Sequence, residues 1–164
     1  SYLSCAFKWI TFQWFFIGKI SYKSKKINIK KNKFLKLELL KPTKIYVDEV
    51  LKLIDLNLIN GCANITGGGL EDNLKRIIPN GLSAKIYLNK IITKPIFKWI
   101  KTQGVSEREM IKTFNCGVGF CLIINQKNLV KINKYFGKKF KPYVIGKIIN
   151  GNPKVLINGK INWK

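Results

Sequence analysis

The spacing of apolar residues along the chain changes repeatedly between the period of a strand and the period of a helix. A helix is predicted to open at Pro42 and Thr43, with its apolar residues gathered on one side. Ser106 and Glu109 have the spacing of a capping box, which predicts the start of another helix. We expect the apolar side of the first of these helices to carry Ile45, Tyr46, Val50, Leu51 and Ile54.

Short apolar runs bounded by Gly, Pro and Asn predict strands, and the mixed segments between them predict further helices. Because the two kinds of element interleave at short intervals, we expect the α+β class, as a layered α/β domain around one mixed sheet. The predicted strands cover residues 34–40, 62–65, 84–88, 120–124, 143–149 and 155–157. The further helices cover residues 71–78, 95–101, 107–114 and 128–136.

The first 22 residues fit neither period. Six aromatic residues fall within ten positions of this segment, and no helical or strand face accommodates them all. We therefore expect residues 1–22 to be irregular and residues 23–164 to form the folded domain. The six aromatic residues are Phe7, Trp9, Phe12, Trp14, Phe15 and Phe16.

The chain has 164 residues, of which 31 are Lys or Arg and 8 are Asp or Glu, so its formal net charge is +23. Only Arg76 and Arg108 are arginines, whereas nucleic-acid-binding proteins favour arginine for its two-pronged phosphate contacts. The lysine excess therefore favours a bias in the base composition of the gene, with nucleic-acid binding as the alternative. No apolar run reaches the roughly 18 residues that a membrane span needs.

Histidine is absent, which excludes imidazole catalysis and histidine-bound metals for this sequence. The cysteines are Cys5, Cys62, Cys116 and Cys121, and no two of them have the spacing of a metal-binding or redox pair. We interpret them as free thiols in a reducing compartment and expect the cytosol or an organelle matrix.

Two glycine-rich segments carry the candidate chemistry. In the first, Thr66-Gly67-Gly68-Gly69 joins a predicted strand to a predicted helix, so that the backbone can approach a ligand closely. The second is Asn115-Cys116-Gly117-Val118-Gly119, in which Asn115 could orient an amide of a substrate. Each segment could equally be a structural turn or a helix end. Cys116 is disfavoured as a nucleophile because no histidine can activate it.

In their order along the chain, these segments resemble the phosphoribosylformylglycinamidine cyclo-ligase family, also called aminoimidazole ribonucleotide synthetase. The resemblance runs from about residue 42 to 149 and includes Pro42-Thr43-Lys44-Ile45-Tyr46-Val47 and Val144-Ile145-Gly146-Lys147-Ile148. It implies two α/β domains per subunit, a homodimer, and a site for ATP and Mg2+ held mostly by an N-terminal half that this chain lacks. It assigns no catalytic residue and no metal ligand to the chain.

The resemblance further implies that the glycine segments close a cleft over the substrate or a phosphate. The implied reaction is the ATP-dependent closure of the imidazole ring of formylglycinamidine ribonucleotide in purine biosynthesis. At Asn64 the family carries a histidine, which Asn cannot replace as a titrating group. The residues implied to bind substrate or phosphate are Asn64, Thr66, Gly67, Gly68, Gly69, Asn115 and Gly117.

Family members also carry the segment Ser-Ser-Gly-Leu-His-Ser-Asn-Gly-Phe-Ser-Leu upstream of the region that matches. A coding of residues 7–17, read one nucleotide later, translates into that segment. Trp9 and Trp14 can only be encoded by TGG. In the shifted frame, the last two bases of each TGG and the base that follows form a glycine codon, which gives both glycines of the segment. We therefore hypothesise that residues 1 to about 17 are translated out of frame, in a fragment of a decayed or mis-sequenced gene.

The sequence leaves two candidate functions. The first is the C-terminal part of the cyclo-ligase, inactive alone because the ATP-binding half is missing. The alternative is a non-enzymatic basic protein that binds nucleic acid, favoured only by the lysines and aromatic residues of residues 7–44. We expect a small-molecule substrate as the partner, and neither a nucleic acid nor a membrane.

Overall fold

The computed structural model of the protein describes residues 2–6, 32–41, 45–137 and 141–163. Its six strands are β1 (Tyr2–Ala6), β2 (Gly61–Asn64), β3 (Leu82–Tyr87), β4 (Phe120–Ile124), β5 (Tyr143–Asn150) and β6 (Val155–Asn158). Its six α-helices are α1 (Lys33–Leu39), α2 (Val47–Asp55), α3 (Gly69–Lys75), α4 (Pro95–Thr102), α5 (Glu107–Thr113) and α6 (Leu129–Asn133). Short 3₁₀ helices cover Leu88–Lys90 and Gln126–Asn128.

The strands form one sheet in the order β2-β4-β1-β5-β3-β6. Neighbouring strands are antiparallel except β3 and β6, which run parallel, so the sheet is mixed as predicted. Consecutive residues of a strand face opposite sides of a sheet. In β4, Cys121 and Ile123 belong to the larger of two buried clusters, whereas Leu122 and Ile124 belong to the smaller one.

The two clusters place helices on both faces of the sheet, which confirms the layered α/β architecture. The larger cluster packs side chains of α3, α4 and α5, among them Leu74, Phe97 and Met110, against one face. The smaller cluster packs α2 and α6 against the other face beside β2 and β4. Within the part of the chain that the structure describes, no helix is long and apolar enough to cross a membrane.

The prediction of a strand over residues 34–40 is wrong, because this segment forms helix α1. The side chain of Asn32 caps the helix by accepting a hydrogen bond from the Leu35 N–H at 3.0 Å. Leu35 and Glu38 are both buried, with the i, i+3 spacing of one helical face, and Glu38 forms a salt bridge with Lys41. The alternation of lysine with apolar residues concealed this helical spacing.

The side of α2 that faces the core also differs from the prediction. Tyr46, Val50 and Leu53 are buried against the smaller cluster. Leu51 and Ile54 remain about half exposed, and Ile45 is 70% exposed. The apolar residues of this helix lie on more than one side of it, so the contact with β4 decides which of them are buried. The predicted opening at Pro42 and Thr43 lies outside the described residues, and α2 begins at Val47.

Residues 1–22 were expected to be irregular, but residues 2–6 form β1 in the centre of the sheet, while residues 7–22 lie outside the described residues. The register pairs Leu3 with Ile123 of β4 and with Gly146 of β5. Strands β4 and β5 each present a row of backbone N–H and C=O groups to the gap between them. These groups can pair with the backbone of almost any segment, so this position does not require a particular sequence.

The position of β1 sharpens the out-of-frame hypothesis into a test at the nucleotide level. The strand reads Tyr-Leu-Ser-Cys-Ala, so its sequence is not an unbroken apolar run. The codons AGT TAT CTT AGT TGT GCT, followed by the first base of Phe7, would encode residues 1–6. Read one nucleotide later, they give the unbroken apolar run Val-Ile-Leu-Val-Val-Leu.

We therefore expect the gene to carry these codons, or synonyms that preserve an apolar run, with the frame restored near Gly18. Sequencing the DNA that encodes residues 1–17 measures this directly. A CAG codon for Gln13, or a TTT codon for Phe12, would contradict the hypothesis, because neither produces the shifted segment.

Candidate functional site

The two glycine segments lie side by side in the structure. Strands β2 and β4 pair antiparallel, with Asn64 opposite Phe120, so the end of β2 meets the start of β4. The pairing continues beyond the strands, where the Ile65 N–H donates to the Gly119 carbonyl at 2.9 Å. We call residues 66–69 the glycine loop and residues 115–119 the Asn115 loop. The sequence predicted both segments, and the strand pairing brings them to one edge of the sheet.

A third segment, residues 92–94, joins this site. A Cβ atom on Gly117, which has φ +105°, would lie 2.8 Å from the Ile92 carbonyl oxygen and 3.4 Å from the Thr93 Cα. The absence of a side chain at Gly117 therefore allows this close approach. Strand β5 also holds this segment in place, since the Ile92 N–H donates to the Tyr143 hydroxyl at 3.2 Å. Sequence analysis did not identify residues 92–94, because no motif marks them.

The glycine loop is held in shape by Asn73, which is only 5% exposed. Its Nδ2 donates to the carbonyl oxygen of Gly69 at 2.7 Å and to that of Gly67 at 3.3 Å. Its Oδ1 accepts a hydrogen bond from the Thr66 hydroxyl at 3.3 Å. One buried side chain thus binds three of the four loop residues. The position of Asn73, four residues after Gly69 in helix α3, was the available sequence signal for this role.

The glycine loop also offers unused hydrogen-bond donors. The Gly69 N–H donates to the Thr66 carbonyl at 3.3 Å. Among the described residues, no group accepts a hydrogen bond from the N–H of Gly67 or Gly68. A Cβ on Gly67 would meet nothing within 4 Å, so the loop is open on this side. Two free amide donors on an open loop suit an oxygen atom of a phosphate, a carboxylate or an amide.

Asn115 is 8% exposed and shapes its own loop. Its Oδ1 accepts a hydrogen bond from the Gly117 N–H at 3.0 Å, and its carbonyl accepts one from the Val118 N–H at 2.8 Å. Asn64 is exposed at the end of β2, two residues before the glycine loop. The predicted residues Asn64, Asn115 and Gly117 therefore border one site with the glycine loop.

Cys116 does not have the properties of a nucleophile. Its side chain is buried, and its Sγ donates to the Met110 carbonyl at 3.4 Å. Burial, together with the negative charge of Glu107, raises the pKa of the Cys116 thiol to about 12. The group is therefore protonated at neutral pH, whereas the thiolate is the reactive form.

The cysteine prediction holds for two residues and fails for one. Cys62 and Cys116 are free thiols. Cys121 is disulfide-bonded. Among the described residues, no three His, Cys, Asp or Glu side chains converge into a group that could bind a metal ion.

The chain matches the family model described as AIR synthase related protein, C-terminal domain, over residues 17–158. It is 46% identical over 123 residues to a phosphoribosylformylglycinamidine cyclo-ligase of Carboxydothermus hydrogenoformans, covering 74% of this chain and 36% of the relative. The chloroplastic/mitochondrial cyclo-ligase of Vigna unguiculata is 41% identical over 115 residues, covering 70% of this chain and 30% of that protein.

The fold is also similar to a solved thiamine-monophosphate kinase of Stenotrophomonas maltophilia, with a TM-score of 0.62 and 13% identity, over 98% of this chain and 51% of that one. The chain spans about a third of the length of the curated relatives it matches. None of these relatives bears a name that favours the nucleic-acid-binding alternative. With the family model matching most of its length, the chain belongs to the AIR synthase related family and carries its C-terminal domain.

Proposed function

We propose that this chain is the C-terminal part of an ATP-dependent cyclo-ligase that closes the imidazole ring of formylglycinamidine ribonucleotide to give aminoimidazole ribonucleotide. The observation that carries the proposal is the meeting of the glycine loop and the Asn115 loop, with free amide donors at Gly67 and Gly68. The curated relatives, which are named for this reaction, supply the substrate and the reaction type.

In this proposal, the amides of Gly67 and Gly68 bind an oxygen atom of the substrate or of a phosphate. Asn64, Thr66 and Gly69 border the same position. The Thr66 hydroxyl directs its proton towards Asn73, so its lone pairs are available to accept a hydrogen bond from the ligand. Asn115 and Gly117 form the facing wall, where the Asn115 side chain keeps the loop in place. The chain orients the substrate and excludes water from it, and we assign it no general acid or base.

The residues of the site fit the phosphate oxygens of ATP better than they fit Mg2+. Amide N–H groups bind phosphate oxygens, whereas Mg2+ prefers carboxylates, and the described residues hold no acidic cluster. ATP, when bound, supplies the phosphoryl group that activates the formyl oxygen of the substrate. We therefore propose that Mg2+ is bound by a second domain of the complete enzyme. A homodimer and a location in the cytosol or an organelle matrix belong to the same proposal.

A turnover assay tests this function. We expect the purified chain to show no ATP-dependent ring closure of formylglycinamidine ribonucleotide, because it spans only about a third of its relatives. A chimera in which residues 42–158 replace the matching part of the Carboxydothermus enzyme should be active. Activity of the isolated chain would contradict the first expectation.

An inactive chimera could mean that the proposed function is wrong or that Asn64 impairs the site. Asn64→His in the chimera distinguishes these two explanations. We expect this variant to be at least as active as the chimera with Asn64, because it restores the residue type that the family carries. A Gly68→Val variant serves as the negative control, since a side chain at φ +93° would collide with Asp72 beside the loop. A folded chimera that is inactive with both Asn64 and Asn64→His would overturn the proposed function.

A further inference from the structure

A cavity lies on the sheet, lined by residues of β3, β5 and the segment after β3. Its volume is about 320 Å3, room for about ten water molecules at their liquid volume. Ligand pockets commonly begin at about this size. Its lining does not include any residue of the glycine loop or the Asn115 loop. The cavity is lined by Tyr87, Asn89, Lys90, Val144, Gly146 and Lys147.

Three lysines gather around this cavity. Lys85 of β3 lies directly opposite Lys147 of β5 in the antiparallel register. The ammonium of Lys85 lies 5.9 Å from the centre of the Tyr87 ring, and that of Lys90 lies 5.3 Å from the same ring. Like charges directly opposite each other on neighbouring strands destabilise a sheet. The chain thus keeps an unfavourable pair in a regular part of its sheet.

Among the described residues, no carboxylate forms a salt bridge with these three lysines. The eight acidic residues all lie between residues 38 and 109, and none lies within β3, β5 or β6. In the part of the chain that the structure describes, none of Lys85, Lys90 and Lys147 forms a salt bridge. The cation–π contacts of Lys85 and Lys90 with Tyr87 are worth about 0.5–1 kcal/mol each at an exposed position, which offsets part of the repulsion between the lysines. They leave the net positive charge in place.

Gly146, Asn89 and Tyr87 complete the lining of the cavity. Gly146 has no side chain, and a Cβ there would lie 2.2 Å from the Lys85 carbonyl oxygen. The strands therefore approach closely at this point, which keeps Lys85 and Lys147 near each other. Asn89 contributes an amide that can donate to an oxygen atom, and Tyr87 forms a wall.

We propose that this cavity, the basic pocket, binds a small anion with at least two linked phosphate groups, either free or as the tail of a nucleotide. Two or more phosphates can contact Lys85, Lys90 and Lys147 together, and their charge relieves the repulsion between Lys85 and Lys147. The pocket is distinct from the glycine loop, so this inference goes beyond the proposed function and does not depend on it.

Isothermal titration calorimetry of the full chain in 150 mM salt tests the proposal, with tripolyphosphate as the probe. A triple variant, Lys85→Gln with Lys90→Gln and Lys147→Gln, should weaken binding by about tenfold or more, equivalent to about 1.4 kcal/mol. The matched control changes Lys36, Lys75 and Lys131 to Gln, which removes the same charge from exposed helical positions. The control should weaken binding by less than about twofold. Equal losses in both variants would mean diffuse attraction to the charge of the chain and would overturn the proposal.

Further ligands identify the chemistry. ATP that binds as tightly as tripolyphosphate, with AMP much weaker, would support the phosphate chain as the recognised group. Tripolyphosphate that binds well while ATP does not would support a free polyphosphate as the source. AMP that binds as tightly as both would overturn the need for linked phosphates. A further outcome is a short DNA duplex that binds and loses affinity in the triple variant while tripolyphosphate does not bind at all. That result would favour nucleic acid as the ligand and overturn the proposal.

A second measurement places the ligand. Addition of tripolyphosphate should shift the NMR amide signals of Asn89 and Gly146 more than those of Gly67 and Gly68. In the absence of ligand, Lys147→Gln should raise the thermal midpoint because it removes a like charge from the pair. Saturating tripolyphosphate should reverse this order, with the unsubstituted chain becoming the more stable. Shifts confined to the glycine loop, or an order that ligand does not reverse, would contradict the basic pocket.

Discussion

Gly69→Ala is expected to lower the free energy of unfolding by about 3 kcal/mol. Gly69 has φ +63°, and a residue with a Cβ atom loses about 1–2 kcal/mol in that conformation. Its Cβ would also lie 2.0 Å from the Ile111 carbonyl oxygen and 3.3 Å from that of Lys112. These are backbone atoms at the end of α5 and cannot move aside as a side chain would, so an overpacking cost of about 1–3 kcal/mol is added.

Gly67→Ala is the matched control, two residues away in the same loop. A Cβ at Gly67 would meet nothing within 4 Å, and its φ lies outside the left-handed region. We expect this variant to be neutral or more stable by up to about 1 kcal/mol, because alanine restricts the unfolded chain more than glycine does. Urea unfolding of the three proteins, followed by circular dichroism, gives the comparison. Similar losses in both variants would show that the packing of the loop against α5 is not as we describe it.

Asn73→Asp should have the second large effect, a loss of about 3 kcal/mol at pH 7. The substitution keeps the shape of the side chain and replaces Nδ2 by an oxygen atom. That oxygen would face the carbonyl oxygens of Gly67 and Gly69, which now receive a hydrogen bond. Each unmade buried hydrogen bond costs about 1–3 kcal/mol, and a buried charge whose described donor is only the Thr66 hydroxyl adds to this cost.

The loss should depend on pH. Burial among carbonyl oxygens would raise the pKa of an aspartic acid at position 73 in the folded state above its value in the unfolded chain, about 3.9. Such a group binds its proton more tightly when folded, so the variant loses stability as the pH rises through the folded pKa. The stability difference from the unsubstituted chain should therefore shrink towards pH 4, where the protonated acid can donate one hydrogen bond.

Two variants complete this experiment, with urea midpoints measured between pH 4 and pH 8. Asn73→Ala removes the hydrogen bonds without adding charge, so we expect a loss of about 2 kcal/mol that does not change with pH. Asn60→Asp makes the same chemical change at an exposed position and should have almost no effect. A pH-independent loss for Asn73→Asp would mean that residue 73 is hydrated and does not bind the loop from within the core.

Local signals in the sequence predicted most elements of the fold. The N-cap predicted at Ser106 is confirmed, since its side chain accepts a hydrogen bond from the Glu109 N–H at 3.2 Å, while the Glu109 carboxylate accepts one from the Thr113 hydroxyl. Strands β2 to β6 lie close to their predicted positions because Gly, Pro and Asn residues bound them. Where the prediction for the buried side of α2 failed, a tertiary contact decided the outcome. The buried side of α2 is selected by Leu122 and Ile124 of β4, which no pattern within the helix reveals.

For the candidate site too, the sequence predicted some features and not others. Glycine content alone identified the glycine loop and the Asn115 loop. That the two loops are neighbours follows from the pairing of β2 with β4, which are distant in sequence. The role of Asn73 depends on the direction of one side chain, and the contact of residues 92–94 with Gly117 depends on how the backbone packs. The spacing of Asn73 from Gly69 is the only sequence signal for the first, and no pattern of residue types marks the second.

The place of β1 has a consequence for the order in which the domain folds. It precedes the other described strands along the chain, yet its neighbours in the sheet are β4 and β5, at Phe120–Ile124 and Tyr143–Asn150. Contacts between residues so far apart in sequence form slowly, because a long loop must close before they contribute. Within the described sheet, β1 is the strand that pairs with both β4 and β5 and so connects the β2-β4 part to the β5-β3-β6 part. On a ribosome, the pairing of β1 can therefore be completed only after the chain has left the exit tunnel far enough to free β5.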